Sequence, residues 1–144
     1  MNEMAKVDFY VIPQASENEA HFFACRLIEK IYNQGLKVYI HTDSKSAAQA
    51  LDDLLWSFRP ESFVPHTIIN SEDEEDIPVI IGYGKEHTGP DQVLINLSTE
   101  VPAFHHKFQR ITEIVCNNEE SKKVRREHWS YYKQHGFELS RHQI

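Results

Sequence analysis

Glycine is scarce in this chain, five residues in 144, and none stands where a bound phosphate needs it. The first apolar run ends in Pro13-Gln14-Ala15-Ser16-Glu17-Asn18, where a dinucleotide enzyme carries Gly-x-Gly-x-x-Gly. Without those glycines a phosphate cannot come close to the helix start, and Glu17 repels it. No Gly-x-x-x-x-Gly-Lys-Ser/Thr occurs, which excludes nucleotide hydrolysis of the P-loop type. No Gly-x-Ser-x-Gly occurs either, and neither cysteine sits beside a candidate base. The two cysteines are far apart: Cys25 falls on an apolar helical stripe and Cys116 at a strand end, which predicts buried free thiols. Long apolar runs are missing as well; none approaches the roughly 20 residues of a membrane span. The opening residues have no cationic, signal-like character, so the chain reads as cytoplasmic.

Positive charge is the other shortage. Lys and Arg number 15 against 22 Asp and Glu, a net charge of −7. Residues 121–144 run against that balance. They hold Lys122, Lys123, Arg125, Arg126, Lys133 and Arg141 against Glu127 and Glu138, six minus two, or +4, which leaves −11 for the remainder. An acidic body is a poor general binder of nucleic acid, because affinity for phosphates needs a positive field. A basic end on it suits a small acidic ligand.

The order of elements is that of an α/β protein. Lys6–Pro13 is a β-rich run closed by proline. Ser16 and Glu19 form a capping-box signature before Ala20, Phe23, Ala24, Leu27, Ile28 and Ile31 at helical spacing, and Gly35 supplies the stop. Leu36–Thr42 reads as a second strand, and Asp43 or Ser44 caps a helix with Ala47, Ala48, Leu51, Leu54 and Leu55 on its apolar face. Further strands are predicted over Ile77–Tyr83, Gln92–Leu97 and, as the last, Arg110–Cys116. Val101–Phe108 reads as a short helix with Pro102 in its first turn, and Glu119–His135 as the final helix, ended by Gly136 and followed by a tail. This alternation predicts one three-layer, Rossmann-like domain with a mostly parallel central sheet and a C-terminal helix.

Metal sites find little support. Ser71–Asp76 reads as a solvated acidic loop, without the glycine and alternation of a calcium loop. His105 and His106 are adjacent and diverge on a helix; His128 and His135 share a face without a third ligand at metal spacing. The histidines are predicted to be surface or capping residues, and no metal or cofactor is expected.

Two segments stand out as surfaces. Leu54 to His66 carries Trp56, Phe58, Phe63 and Val64 together with prolines 60 and 65, an aromatic load unusual for a solvated turn. Such a turn is folded back on the core or offered to a partner. Lys122, Arg126, Trp129 and Lys133 are spaced four, three and four, along one face of the last helix. That face is either a solvated surface with a half-buried tryptophan or a groove for an acidic peptide with an apolar end. In the second case the ring takes the apolar group and the cations hold carboxylates.

Several of these pieces occur together in one known family. The helix ending Leu54-Leu55-Trp56, then Glu61-Ser62-Phe63-Val64-Pro65-His66, resembles the chi subunit of the bacterial DNA polymerase III clamp-loader assembly. The likeness extends to Phe9-Tyr10, Gly35-Leu36-Lys37-Val38, Glu113-Ile114-Val115, the Lys122…Arg126…Trp129 helix and Gly136-Phe137-Glu138-Leu139. Trp129 stands where a tyrosine is common, and Ser130 where a lysine is usual.

That resemblance implies a chi-like α/β domain over residues 1–144, with no catalytic residues of its own, inside a DNA-directed DNA polymerase complex. It implies two partners, with DNA reached only indirectly. The psi subunit of the clamp loader is expected against Trp56, Phe63, Val64 and Pro65, with Leu55 and Phe58 beneath. The acidic C-terminal tail of single-stranded DNA-binding protein is expected at Lys122, Arg126 and Trp129. Lys133 and Arg141 are the supporting cations, with Lys133 or Arg125 replacing the lysine absent at Ser130. The rival readings are an α/β enzyme or binding domain for a nucleotide or phosphorylated small molecule, and a direct single-strand DNA binder, which the acidic body disfavours.

Overall fold

The computed structural model describes residues 5–58, 64–69, 77–84 and 91–144. Phe63, the acidic run 71–76 and most of the 84–90 loop lie outside the described residues. Among the described residues, seven strands form one sheet in the order β3-β4-β2-β5-β6-β1-β7. These are β1 (Lys6–Val11), β2 (Val38–Thr42), β3 (His66–Ile68), β4 (Val79–Tyr83), β5 (Val93–Asn96), β6 (Arg110–Val115) and β7 (Glu138–Gln143). Every pairing among them is parallel. Helices α1 (Glu17–Asn33), α2 (Lys45–Ser57) and α3 (Glu119–Gln134) complete an α/β fold of three layers.

The layers follow from strand alternation. Val38, Ile40, Val79, Ile81, Val93 and Ile95 face α1 and α2, packing with Cys25, Ile28, Leu51 and Leu55. Their neighbours Tyr39, Ile80, Leu94 and Ile111 face the opposite layer, where Phe104, Phe108 and Tyr132 cover them. A parallel sheet buried on both sides needs such continuous apolar strands. Each helix start is capped by a side chain. Ser16 Oγ accepts from Asn18 N–H, Ser44 Oγ from Ala47 N–H, and Asn118 Oδ1 from Ser121 N–H. Of the two candidate caps for α2, Ser44 serves; Asp43 turns instead to Ser98 and Thr99. Gly136 takes φ +81° just beyond α3, the left-handed turn that lets the chain re-enter the sheet.

Three sequence expectations are corrected. Arg110–Val115 is not the last strand: residues 138–143, read as a tail, form β7 on the far side of β1. The segment before Phe108 is a 3-10 turn, Ala103–Lys107, with Pro102 as its cap rather than in its first turn. His66–Ile68, not foreseen as a strand, pairs with β4. Cys25 and Cys116 are buried free thiols, as read from their positions, and burial pushes the Cys25 thiol up to about 12.

Candidate functional site

The groove lies where α3 crosses the C-terminal ends of β6, β1 and β7. Phe9 and Val11 from β1, Val115 from β6 and the Trp129 ring make its apolar lining. Phe9 and Trp129 are packed with ring centroids 5.1 Å apart and planes tilted 59°. Lys122 and Arg126 stand on the helix side, and Arg141 of β7 stands on the other. The groove offers about 400 Å³, room for a short apolar side chain or ring with its flanking backbone. An apolar slot edged by cations binds an apolar group that carries carboxylates, since each group meets its complement.

The expected tail-site residues separate here. Lys122, Arg126, Trp129 and Arg141 come together on the groove; Lys133, a turn further along α3, does not line it. Arg125 does reach the groove, yet its charge is already committed. Its Nη1 donates to Glu113 Oε1 at 2.9 Å and to Ser98 O at 2.7 Å, and its Nε donates to Ile114 O. It therefore does not act as a free cation in place of the lysine absent at Ser130.

Beneath the groove sits a polar core that the sequence reading missed. Glu113, wholly buried on β6, is met by Arg125, by His128 Nδ1 at 2.7 Å, by the Tyr132 hydroxyl at 2.7 Å and by Asn96 Nδ2 at 2.9 Å. Burial opposes ionisation of Glu113, but the bond to His128 and the Arg125 guanidinium outweigh it and hold the carboxyl below its usual range. His128 also bonds Thr99 O through Nε2 at 3.0 Å. The histidines were expected at the surface or as caps, but His41, His66, His105 and His128 are buried. A signal existed: Glu113 shares a strand face with Ile111, and a carboxylate there must find partners.

The aromatic turn is only partly described. Trp56 is 51% exposed at the end of α2, its ring 4.4 Å from that of His66. Leu55 is buried and Phe58 packs on the same cluster, as foreseen. Val64, expected on the partner-facing surface, is 5% exposed and sits within that cluster; Pro65 is half-buried.

The crevice at the C-terminal ends of β2 and β5, where related α/β sheets hold nucleotides, is lined by Glu17, Asp43 and Glu120. Asp43 is anchored to the Thr99 N–H and to the Ser98 and Thr99 hydroxyls. Arg125 lines it too but is bonded to Glu113, so the three carboxylates set a charge that disfavours a phosphate. Among the described residues, no group of three or more His, Cys, Asp or Glu is placed to hold a metal, and no helix is long and apolar enough to cross a membrane.

Comparison with known proteins decides the family. The model of the DNA polymerase III chi subunit, HolC, matches residues 4–140. The chain belongs to the DNA polymerase III chi subunit family. DNA polymerase III subunit chi of Pseudomonas aeruginosa is 37% identical over 141 residues, covering 98% of each chain. The Haemophilus influenzae subunit is 32% identical over 139 residues, 95% of this chain and 96% of that protein. The Escherichia coli subunit is 27% identical over 117 residues, 81% of this chain and 80% of its own. Among solved structures, the crystal structure of T4 UvsW superposes with a TM-score of 0.66 at 8% identity. It covers 98% of this chain and 41% of that longer one, a likeness of fold alone. Membership makes this chain an accessory, non-catalytic part of the replicative polymerase.

Proposed function

We propose that this chi-family chain works as one adaptor domain in the cytoplasm, joining the clamp loader to single-stranded DNA-binding protein. The α3 groove receives the acidic C-terminal tail of that protein, and the surface around Trp56 meets the psi subunit. Phe63, outside the described residues, is proposed as part of the same psi-facing patch, with Pro65 beside it and Val64 supporting from within.

One observation carries the reading: an apolar slot floored by Phe9 and Trp129 has Lys122, Arg126 and Arg141 around its rim. A terminal phenylalanine fits the slot, and its carboxylate finds Arg126. Because the rim is exposed, affinity is modest and falls with salt, over a screening length of roughly 8 Å at physiological ionic strength. The test is Arg126→Ala and Trp56→Ala in parallel. The first weakens binding of an aspartate-rich peptide ending in phenylalanine and leaves psi bound; the second does the reverse. If both variants bind both partners as the parent does, the adaptor assignment fails.

A further inference from the structure

Among the described residues, strand β7 ends the sheet with its outer edge open. Among the described residues no strand pairs beyond it, and its register with β1 runs unbroken from Glu138 to Gln143. Edges of this kind are ordinarily blunted by proline, a bulge, charged side chains or very short length; β7 carries two charges, Glu138 and Arg141, of opposite sign. β7 has no proline and shows no bulge against β1 over its six residues.

The direction of its free backbone groups can be read from the ladder. Glu138 N–H donates to Ala5 O at 3.1 Å, and Ile144 N–H donates to Val11 O at 2.9 Å, at the two ends of the β1–β7 pairing. In a parallel ladder alternate residues turn both backbone groups to the same neighbour. Residues 138, 140, 142 and 144 therefore face β1. The N–H and C=O of Leu139, Arg141 and Gln143 face outward.

Side chains on this strand alternate too, and the two alternations coincide at Arg141. It is in register with Phe9, so its side chain stands on the α3 side and edges the groove. The Gln143 Oε1 accepts from Arg141 Nη2 at 3.2 Å and steadies the guanidinium. One residue thus offers an unpaired backbone pair and a cation to the same ligand. Arg126 and Lys122 lie across the groove. Their charges suit acidic side chains projecting from a strand laid beside β7 and exclude a basic one.

We propose that an acidic, extended peptide adds to β7 as an eighth strand, its backbone bonding Leu139, Arg141 and Gln143 while its apolar end fills the Trp129 slot. This rests on the groove being a peptide site and states how the peptide lies there. Backbone pairing supplies affinity and the alternate side chains supply selectivity, the division found in other strand-addition complexes.

The probe is a synthetic aspartate-rich peptide ending in phenylalanine, N-methylated at one amide at a time, titrated against the unaltered protein. Strand addition predicts a period of two: methylation of alternate amides weakens binding by about tenfold, the value of one lost hydrogen bond at its upper end, and the amides between tolerate it. Gln143→Pro removes an outward N–H that β1 does not use, at an edge position where proline is tolerated. It should bind the peptide several-fold more weakly than Gln143→Ala, which loses only the side chain. Uniform or absent sensitivity to methylation overturns strand addition and leaves the groove standing. Failure of the unmethylated peptide to bind overturns both.

Discussion

Phe9, on the first strand, and Trp129, on the last helix, pack ring to ring at 5.1 Å and supply the aromatic part of the cationic groove's lining. The pair fixes the helix over the sheet and leaves part of the indole uncovered. Trp129→Ala is expected to weaken binding of the phenylalanine-ended peptide by about tenfold or more, the scale of an aromatic anchor. Trp129→Phe should keep most of it. Fluorescence polarisation with a labelled peptide decides; unchanged binding in the alanine variant would move the site elsewhere.

The rim cations are unequal. Arg141 borders the groove and Lys133 does not. Charge reversal at Arg141 should therefore reduce peptide affinity at low salt well beyond the effect of Lys133→Glu. An equal loss from Lys133→Glu would show that the ligand extends further along α3 than the groove does.

Glu113 sits at the junction of Arg125, His128, Tyr132 and Asn96. Glu113→Ala strands a buried guanidinium, and removal of one partner of such a pair costs about 3–5 kcal/mol. Chemical denaturation should show that loss in the midpoint. A shift below 1 kcal/mol would mean that the network adds little beyond packing.

Acid should destabilise the domain in two stages. Burial lowers the pKa of His41 and His105 below the ordinary 6.5, so the unfolded chain binds more protons and stability falls as pH drops from 6.5 toward the native values. Glu113 has a depressed native pKa, so its contribution is present above the ordinary 4.5 and is lost as pH falls through the native value. Calorimetry from pH 8 to pH 3 should show a plateau above 7 and a decline below it. A thermal midpoint that rises on acidification to pH 5 would contradict this.

Gly82, inside β4, leaves space that the end of the Tyr39 ring and its hydroxyl fill; a Cβ there would overlap both. Gly82→Ala should destabilise the fold by about 1–3 kcal/mol, the cost of overpacking a tight core. Gly82→Ala combined with Tyr39→Leu, which removes both the hydroxyl and the ring end that the new Cβ meets, should recover part of it, and absence of any recovery would place the strain elsewhere.

The sequence made the parallel core legible because Val38, Ile40, Val79, Ile81, Val93 and Ile95 form short apolar runs between capped helices. It made the groove helix legible as well, since Lys122, Arg126 and Trp129 mark one stripe. The stripe beside it, Ser121, Arg125, His128 and Tyr132, has the same kind of spacing and is the buried one. Periodicity finds both stripes but does not tell a paired cation in the core from a free one outside. β7 escaped notice for a related reason. Glu-Leu-Ser-Arg-His-Gln buries little on either face, and its strand form comes from β1 lying alongside.

The first strand lies between β6 and β7, the last two strands of the chain, so its neighbours on both sides are made after everything else. A growing chain emerging from the ribosome holds Phe9 long before it holds Trp129 or Arg141. Pairing of such distant segments is slow to form and is settled late in folding. The groove is thus finished last: a chain cut short before residue 138 keeps Phe9 and Trp129 but has neither the β7 wall nor the Arg141 cation.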